Sequence, residues 1–156
     1  IDVSLVGSEM CIRDRTYILM NKPYLKKIIA QTPEDLQIIS ACCSEGIVKI
    51  SDIKYLQKNK IFLISINRHE KEKEKSQIKI NSIIRFEYIQ GSKSKNIDQK
   101  NQDEELELIS IDIFKKNNIF EITLLFLNNK IITLTAEIIE VILEDQKSLN
   151  DKNTEL

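Results

Sequence analysis

The stretch from Asn118 to Glu144, NIFEITLLFLNNKIITLTAEIIEVILE, constrains this chain more than any other. Phe120, Ile122, Leu124 and Phe126 alternate with Glu121, Thr123, Leu125 and Leu127. Beyond two asparagines, Ile132, Leu134, Ala136 and Ile138 alternate with Thr133, Thr135 and Glu137. A period of two sends successive side chains to opposite faces of a strand. Asn128 and Asn129 tolerate the positive φ that a tight type I′ turn requires. The two runs therefore predict an antiparallel hairpin.

Taken in order, the rest of the chain agrees with that start. Tyr24 to Ala30 predicts a short strand. In QTPEDLQIISACCSEG, Thr32 caps, Pro33 takes the first helical position, and Asp35 stands where an acid completes a capping box and meets the helix dipole. Leu36, Ile39 and Cys43 share one face, and Gly46 is expected to end the helix in a left-handed cap. Ile47 to Leu56 and Ile61 to Asn67 form a hairpin turning through Gln57 to Lys60. Ile80 to Gln90 returns as a strand with Ile84, Phe86 and Tyr88 on one side. Residues 91–105 lack periodicity and read as a long loop, of the kind that is functional or disordered. Leu106 to Phe114 is a strand whose apolar phase shifts between Leu108 and Ile109, as a bulge or burial on both faces requires.

Hairpins without βαβ alternation mean an antiparallel sheet. The expected class is α+β, mostly β. It is an antiparallel meander of about seven strands, strongly curved or partly closed into a barrel, with one helix near 33–44 covering a face or an end.

Residues 1–15, IDVSLVGSEMCIRDR, read as translated sequencing-adapter sequence. The transposon-end stretch ATG TGT ATA AGA GAC AG translates to Met-Cys-Ile-Arg-Asp, which matches the chain from Met10. Such scars stand outside a fold argument. Met20 is then the expected natural start. The expected layout is a leader over 1–19, a single β-rich domain over 20–146 and a disordered tail over 147–156.

Charge excludes some partners. The chain carries 23 basic and 24 acidic residues, and setting aside Asp2, Glu9, Asp14, Arg13 and Arg15 leaves 21 of each. A neutral chain has no global attraction to nucleic acid or an anionic membrane. No run approaches the roughly 18 apolar residues of a membrane span. Cys42 and Cys43 are adjacent and belong to no disulfide framework, so a reducing cytoplasm is the expected compartment.

Little in the sequence carries catalytic chemistry. His69 is the sole histidine, opens a charged loop and is followed by no H-E-x-x-H, so an exposed loop position is expected. Cys42 and Cys43 have no second Cys or His pair to complete a tetrahedral site, and Cys43 falls on the apolar helix face. Glu70 to Lys75 alternates in sign and cancels its own field, as a solvated connection does. Gly46 and Gly91 are the only glycines after the leader, too few for a phosphate-cradling loop. No catalytic residue, metal or cofactor is assigned. Arg68 stands out in a lysine-rich chain where, past residue 15, only it and Arg85 are arginine. Its planar fork serves either an ion pair with an acid such as Asp98 or Glu87, or an anionic partner or ligand.

The run LKKIIAQTPEDLQIISACCSEGIVKISDIKYL, an acidic EDLQIISA helix followed by the strand ISDIKY, resembles the opening of the bacterial family called domain of unknown function 2948. Asn67-Arg68 after Leu63, Phe86-Glu87, Ile97-Asp98 and the closing hairpin Leu124 to Glu140 extend the resemblance over roughly Leu25 to Asp145. His69, Glu70 and Lys71 stand where that family has an aromatic and an acidic-tryptophan pair. Asn128-Asn129 and Asn96 replace its glycines. The resemblance implies no established activity. Asn67, Arg68 and Asp98, which fall within these matches, are the candidate binding residues.

The expected function is a non-catalytic cytoplasmic binding or assembly domain, acting on another protein or a second copy of itself, through an open strand edge. Two alternatives stay open: a small metal-free enzyme using carboxylate, arginine or lysine groups, and weak nucleic-acid binding through loop lysines converging on one face. A deep pocket holding Arg68 among converging acids would favour the enzyme; a flat apolar patch would favour the binding domain.

Overall fold

A computed structural model describes residues 25–69 and 79–147. The expected leader over 1–19, the start at Met20, the alternating charges from Glu70 to Lys75 and the tail beyond Lys147 lie outside these residues. In chain order the elements are β1 (Lys27–Ala30), α1 (Pro33–Cys43), β2 (Ile47–Lys49), β3 (Ile53–Leu56), β4 (Ile61–His69), β5 (Lys79–Phe86), β6 (Ile89–Lys95), β7 (Glu105–Lys116), β8 (Ile119–Phe126), β9 (Lys130–Ala136) and β10 (Val141–Asp145).

Among the described residues every strand pairing is antiparallel and one helix accompanies the sheet, as the patterning predicts. The strands number ten rather than about seven because three expected runs bend. A 3-10 turn at Ile50–Asp52 divides β2 from β3. The pair Glu87-Tyr88, with Tyr88 at φ 60°, divides β5 from β6. Residues 137–140 divide β9 from β10. The last two bends coincide in space: β5 pairs with β10, β6 pairs with β9, and Glu87 N donates to Glu140 O across the corner at 2.9 Å. One two-stranded ribbon thus passes from one layer into the other.

The sheet order is β1-β10-β5-β4-β2-β7-β8-β9-β6, with β3 attached to β4. It curves without closing, and its two ends are β1 and β6. Turn chemistry explains the tight hairpins. Asn117 and Asn118 lie at φ 52° and 66° between the paired Lys116 and Ile119, a two-residue turn. Asn128 and Asn129 lie at φ 66° and 58° in the turn between Phe126 and Lys130. The bulge in β7 falls between Leu108 and Ser110 and swings Ile111 back to the interior with Leu106 and Leu108.

Both layers turn one face to a single core. Phe62, Ile64 and Ile66 of β4 meet Ile84 and Phe86 of β5, Ile122, Leu124 and Phe126 of β8, and Leu134 of β9. The helix lies across β7, β1 and β4 and buries Leu36, Ile39 and Cys43. Thr32 Oγ1 accepts from Asp35 N at 3.3 Å, the expected cap, and Ser40 Oγ accepts from Ile111 N at 2.8 Å.

Three expectations need correction. The left-handed residue after the helix is Glu45 at φ 71°, and Gly46 has no positive φ. Gly46 is small for another reason: a Cβ there would stand 2.6 Å from Ile66 Cδ1 and 2.9 Å from Cys43 O. Tyr88 does not continue the inward row of Ile84 and Phe86, because the corner turns it out to 49 % exposure. Finally, Gly91 to Lys95 is strand, not loop, since it completes β6 against β9.

Candidate functional site

The inward face of β4 ends in polar surroundings in both directions. Toward its C-terminus stands Arg68, fully buried. Arg68 Nη2 donates to Asp145 Oδ2 at 2.8 Å and Nε to Asp145 Oδ1 at 3.1 Å, the forked geometry that lysine cannot reproduce. Ser82 Oγ donates to Asp145 Oδ1 at 2.6 Å and accepts from Arg68 Nε at 3.2 Å. Lys26 N donates to Asp145 Oδ2 at 2.8 Å. Four strands or strand ends are thereby tied: β4, β5, β10 and the residue preceding β1. The carboxylate expected for Arg68 is Asp145 rather than Asp98 or Glu87. Buried charges persist when they are paired and further hydrogen-bonded, as here.

Toward the N-terminus of β4 the interior opens. Among the described residues β3 pairs with β4 alone and β6 with β9 alone, leaving two free edges. They converge at one end, where Ile89 N donates to Lys60 O at 2.8 Å and Tyr55 OH to Ile89 O at 3.4 Å. At the other end the loop 96–104 crosses over, held by Ser51 N to Gln102 O and Ile50 N to Glu104 O, both 3.0 Å. Between them lies a cleft of about 310 Å³. Ile53, Phe62, Ile97 and Ile132 supply its apolar side; Ser92, Ser94, Gln99 and Gln102 supply its polar side.

The cleft has a simple local cause. Ser92 stands opposite Leu134 and Ser94 opposite Ile132, so both serines lie on the cleft face of β6, Ser92 half-buried and Ser94 exposed at the mouth. Equivalent positions on β4, β8 and β9 carry Phe, Ile, Leu or Ala. Two small hydroxyls leave unfilled the space that larger side chains fill elsewhere. Gln99 Nε2 donates to Ser94 Oγ at 3.3 Å, and Gln102 Nε2 donates to the Gln99 carbonyl. Asn96 Nδ2 to Asn129 O, at 2.8 Å, and an ion pair between Lys130 and Glu104 anchor the loop at its two ends.

The three sequence candidates do not meet. Arg68 points inward to Asp145. Asn67 is exposed on the outer face, opposite Asn81, and the two line a second cleft, of about 360 Å³, with Lys49, Lys79, Asp52 and Glu105. Asp98 is exposed in the loop, where its Oδ1 accepts from Lys100 N at 3.0 Å. His69 ends β4 opposite Lys79 and is half-buried rather than exposed. Cys43 is buried and Cys42 half-buried. Among the described residues no group of three or more His, Cys, Asp or Glu side chains is placed to hold a metal ion, and no helix is long and apolar enough to cross a membrane.

A third polar group sits at the corner of the bent ribbon. A hydrogen bond to the Glu140 carboxyl, which Glu87 can donate only when protonated, holds the Glu87 carboxyl above its usual range, with burial and the Glu140 charge acting the same way and Arg85 opposing. Arg85 Nε lies 3.5 Å from Glu87 Oε1, and Gln31 Nε2 donates to Glu140 Oε1 at 3.4 Å.

Sequence reasoning passed over Ser82, Asp145, Ser92, Ser94, Gln99 and Gln102. For Asp145 a signal existed: the inward row Val141, Leu143 continues to it with period two. For the serines, polar residues in a polar stretch offered none. The sequence model of a family described as "Protein of unknown function (DUF2948)" matches residues 26–155. No curated protein and no solved structure matches.

Proposed function

This chain belongs to the DUF2948 family, and we propose that it is a non-catalytic binding domain whose ligand site is the cleft between β3 and β6. One observation carries the reading: Ser92 and Ser94 line an apolar floor on the cleft face of β6 and leave about 310 Å³ open. Concave, mostly preformed sites of roughly 300–1,000 Å³ with a few polar groups are the usual form of a small-molecule site. The alternative enzyme reading asks for Arg68 in a pocket among converging acids; Arg68 is instead enclosed by Asp145 and Ser82. Edge pairing with a partner strand draws less support. β1 is four residues long and begins with Lys27, and β6 carries Lys93 and Lys95, features that blunt strand edges. Adjacent Cys42 and Cys43, belonging to no disulfide framework in the sequence, fit a reducing cytoplasm, the compartment we assign.

Fragment screening by amide NMR shifts on the labelled chain tests the site. Hits are expected to move resonances of Ser92, Ser94, Gln99 and Gln102 and to be lost in Ser94→Leu, which fills the cleft. Hits that cluster instead around Asn67 and Asn81 would refute the assignment.

A further inference from the structure

We infer that the cleft takes a compact, uncharged molecule with an apolar body and one hydrogen-bonding edge, an inference that rests on the cleft being the binding site. Chemistry divides the cleft into two sides. Ile53, Phe62 and Ile132 offer carbon surface to a ring or short aliphatic body. Ser92, Ser94, Gln99 and Gln102 offer hydroxyls and amides, which both donate and accept. A ligand carbonyl, hydroxyl or amide finds partners there.

Among the described residues no carboxylate, ammonium or guanidinium group lines the cleft. An ion seated against the apolar floor would lose water there without meeting a counter-charge, which disfavours its binding. The segregation runs through β6 itself. Lys93 and Lys95 alternate with the serines, stand opposite Thr133 and Ile131, and so point to the outer face. The strand keeps its charge on the outer face and its neutral hydroxyls on the cleft face.

The polar wall is held before any ligand arrives, because Gln99 donates to Ser94 and Gln102 to the Gln99 carbonyl. Such preorganisation favours recognition of a defined hydrogen-bonding edge over mere partitioning of oil. A volume of about 310 Å³ stands at the small end of ligand sites and suits a single substituted ring.

A matched probe series on the labelled full chain tests this: benzamide and benzyl alcohol as neutral polar probes, toluene as the apolar one, benzoate and benzylammonium as the ions. Benzamide and benzyl alcohol are expected to move the amide resonances of Ser92, Ser94, Gln99 and Gln102, binding about tenfold or more tightly than either ion. Toluene is expected to bind more weakly than benzamide. Ser94→Ala keeps the space but removes a hydroxyl, and is expected to weaken benzamide several-fold while leaving toluene unchanged. Benzoate or benzylammonium binding in the cleft as tightly as benzamide would overturn the ligand class and leave the site standing. Toluene matching benzamide would remove the hydrogen-bonding edge. If no probe moves the cleft resonances, the ligand class and the site both fall.

Discussion

At one end of β4, Arg68, Ser82 and Asp145 are sealed from solvent and satisfy one another. At the other end, Phe62 borders a cleft whose far wall is Ser92 and Ser94. Phe62 and Arg68 stand on the same inward face of β4, six residues or about 20 Å apart along the strand. The two polar groups differ in charge, and that difference decides which one can be left open. A dry, unpaired ion costs several kcal/mol, so the charged end is complete in itself and has nothing to offer a ligand. A neutral hydroxyl costs only about 1–3 kcal/mol unpaired, and at a cleft mouth water relieves it. The same sheet therefore builds a lock at one end and a site at the other.

The largest expected effect breaks the lock. Asp145→Ala strands the Arg68 guanidinium in the interior and should lower unfolding stability by about 3–5 kcal/mol. Urea titration measures it, and a loss under about 1 kcal/mol would mean that the sealed end is no lock. Arg68→Lys keeps the charge and discards the fork, with an expected loss of about 1–3 kcal/mol from the same measurement.

The open end should answer in the opposite direction. Ser94→Leu places aliphatic carbon in the cleft and should raise stability by about 0.5–2 kcal/mol, as cavity-filling changes commonly do, while abolishing ligand binding. A clear loss of stability would show that the cleft has no room for the side chain. Ser92→Ala removes a hydroxyl without adding bulk and should stay within about 0.5 kcal/mol of the parent.

The smallest effect concerns the corner between the two layers. Glu87 is held above its usual carboxyl range by its hydrogen bond to Glu140. A raised folded-state pKa means that the native state holds the proton more firmly than the unfolded chain does. The resulting stability is fully present below the ordinary carboxyl range and is lost as pH rises through the folded value. Glu87→Gln mimics the protonated form permanently. It should therefore match the parent in acid and exceed it slightly at neutral pH, with the gap read from melts across that window. A gap that widens in acid would reverse the sign.

The feature that hid β6 from the sequence is the feature that makes the cleft. Strands announce themselves by apolar residues at every second position, and Ser92 and Ser94 occupy two such positions on the cleft face. The segment GSKSK thus reads as loop although it is bonded to β9 along its length. Bends were equally silent: Ile80 to Gln90 reads as one strand, and only pairing with β10 on one side of Glu87 and with β9 on the other makes it two. Arg68, by contrast, stood out from lysine-rich usage alone as a residue whose fork serves an ion pair or an anionic ligand, and only the structure chose between them and supplied Asp145.

What the sequence by itself determined rests on contacts within a few residues. The cap of α1 by Thr32, Pro33 and Asp35, the positive-φ asparagines of two hairpins, the bulge after Leu108 and the alternation of β8 and β9 are all of that kind. What only the tertiary structure decided joins residues far apart. Arg68 meets Asp145 across 77 positions, and the cleft exists because two free edges, β3 and β6, face each other without pairing. Local propensity reports what one segment gains from its own neighbours. A buried ion's partner and an unfilled volume are properties of how whole layers close on a core, and no single segment carries them.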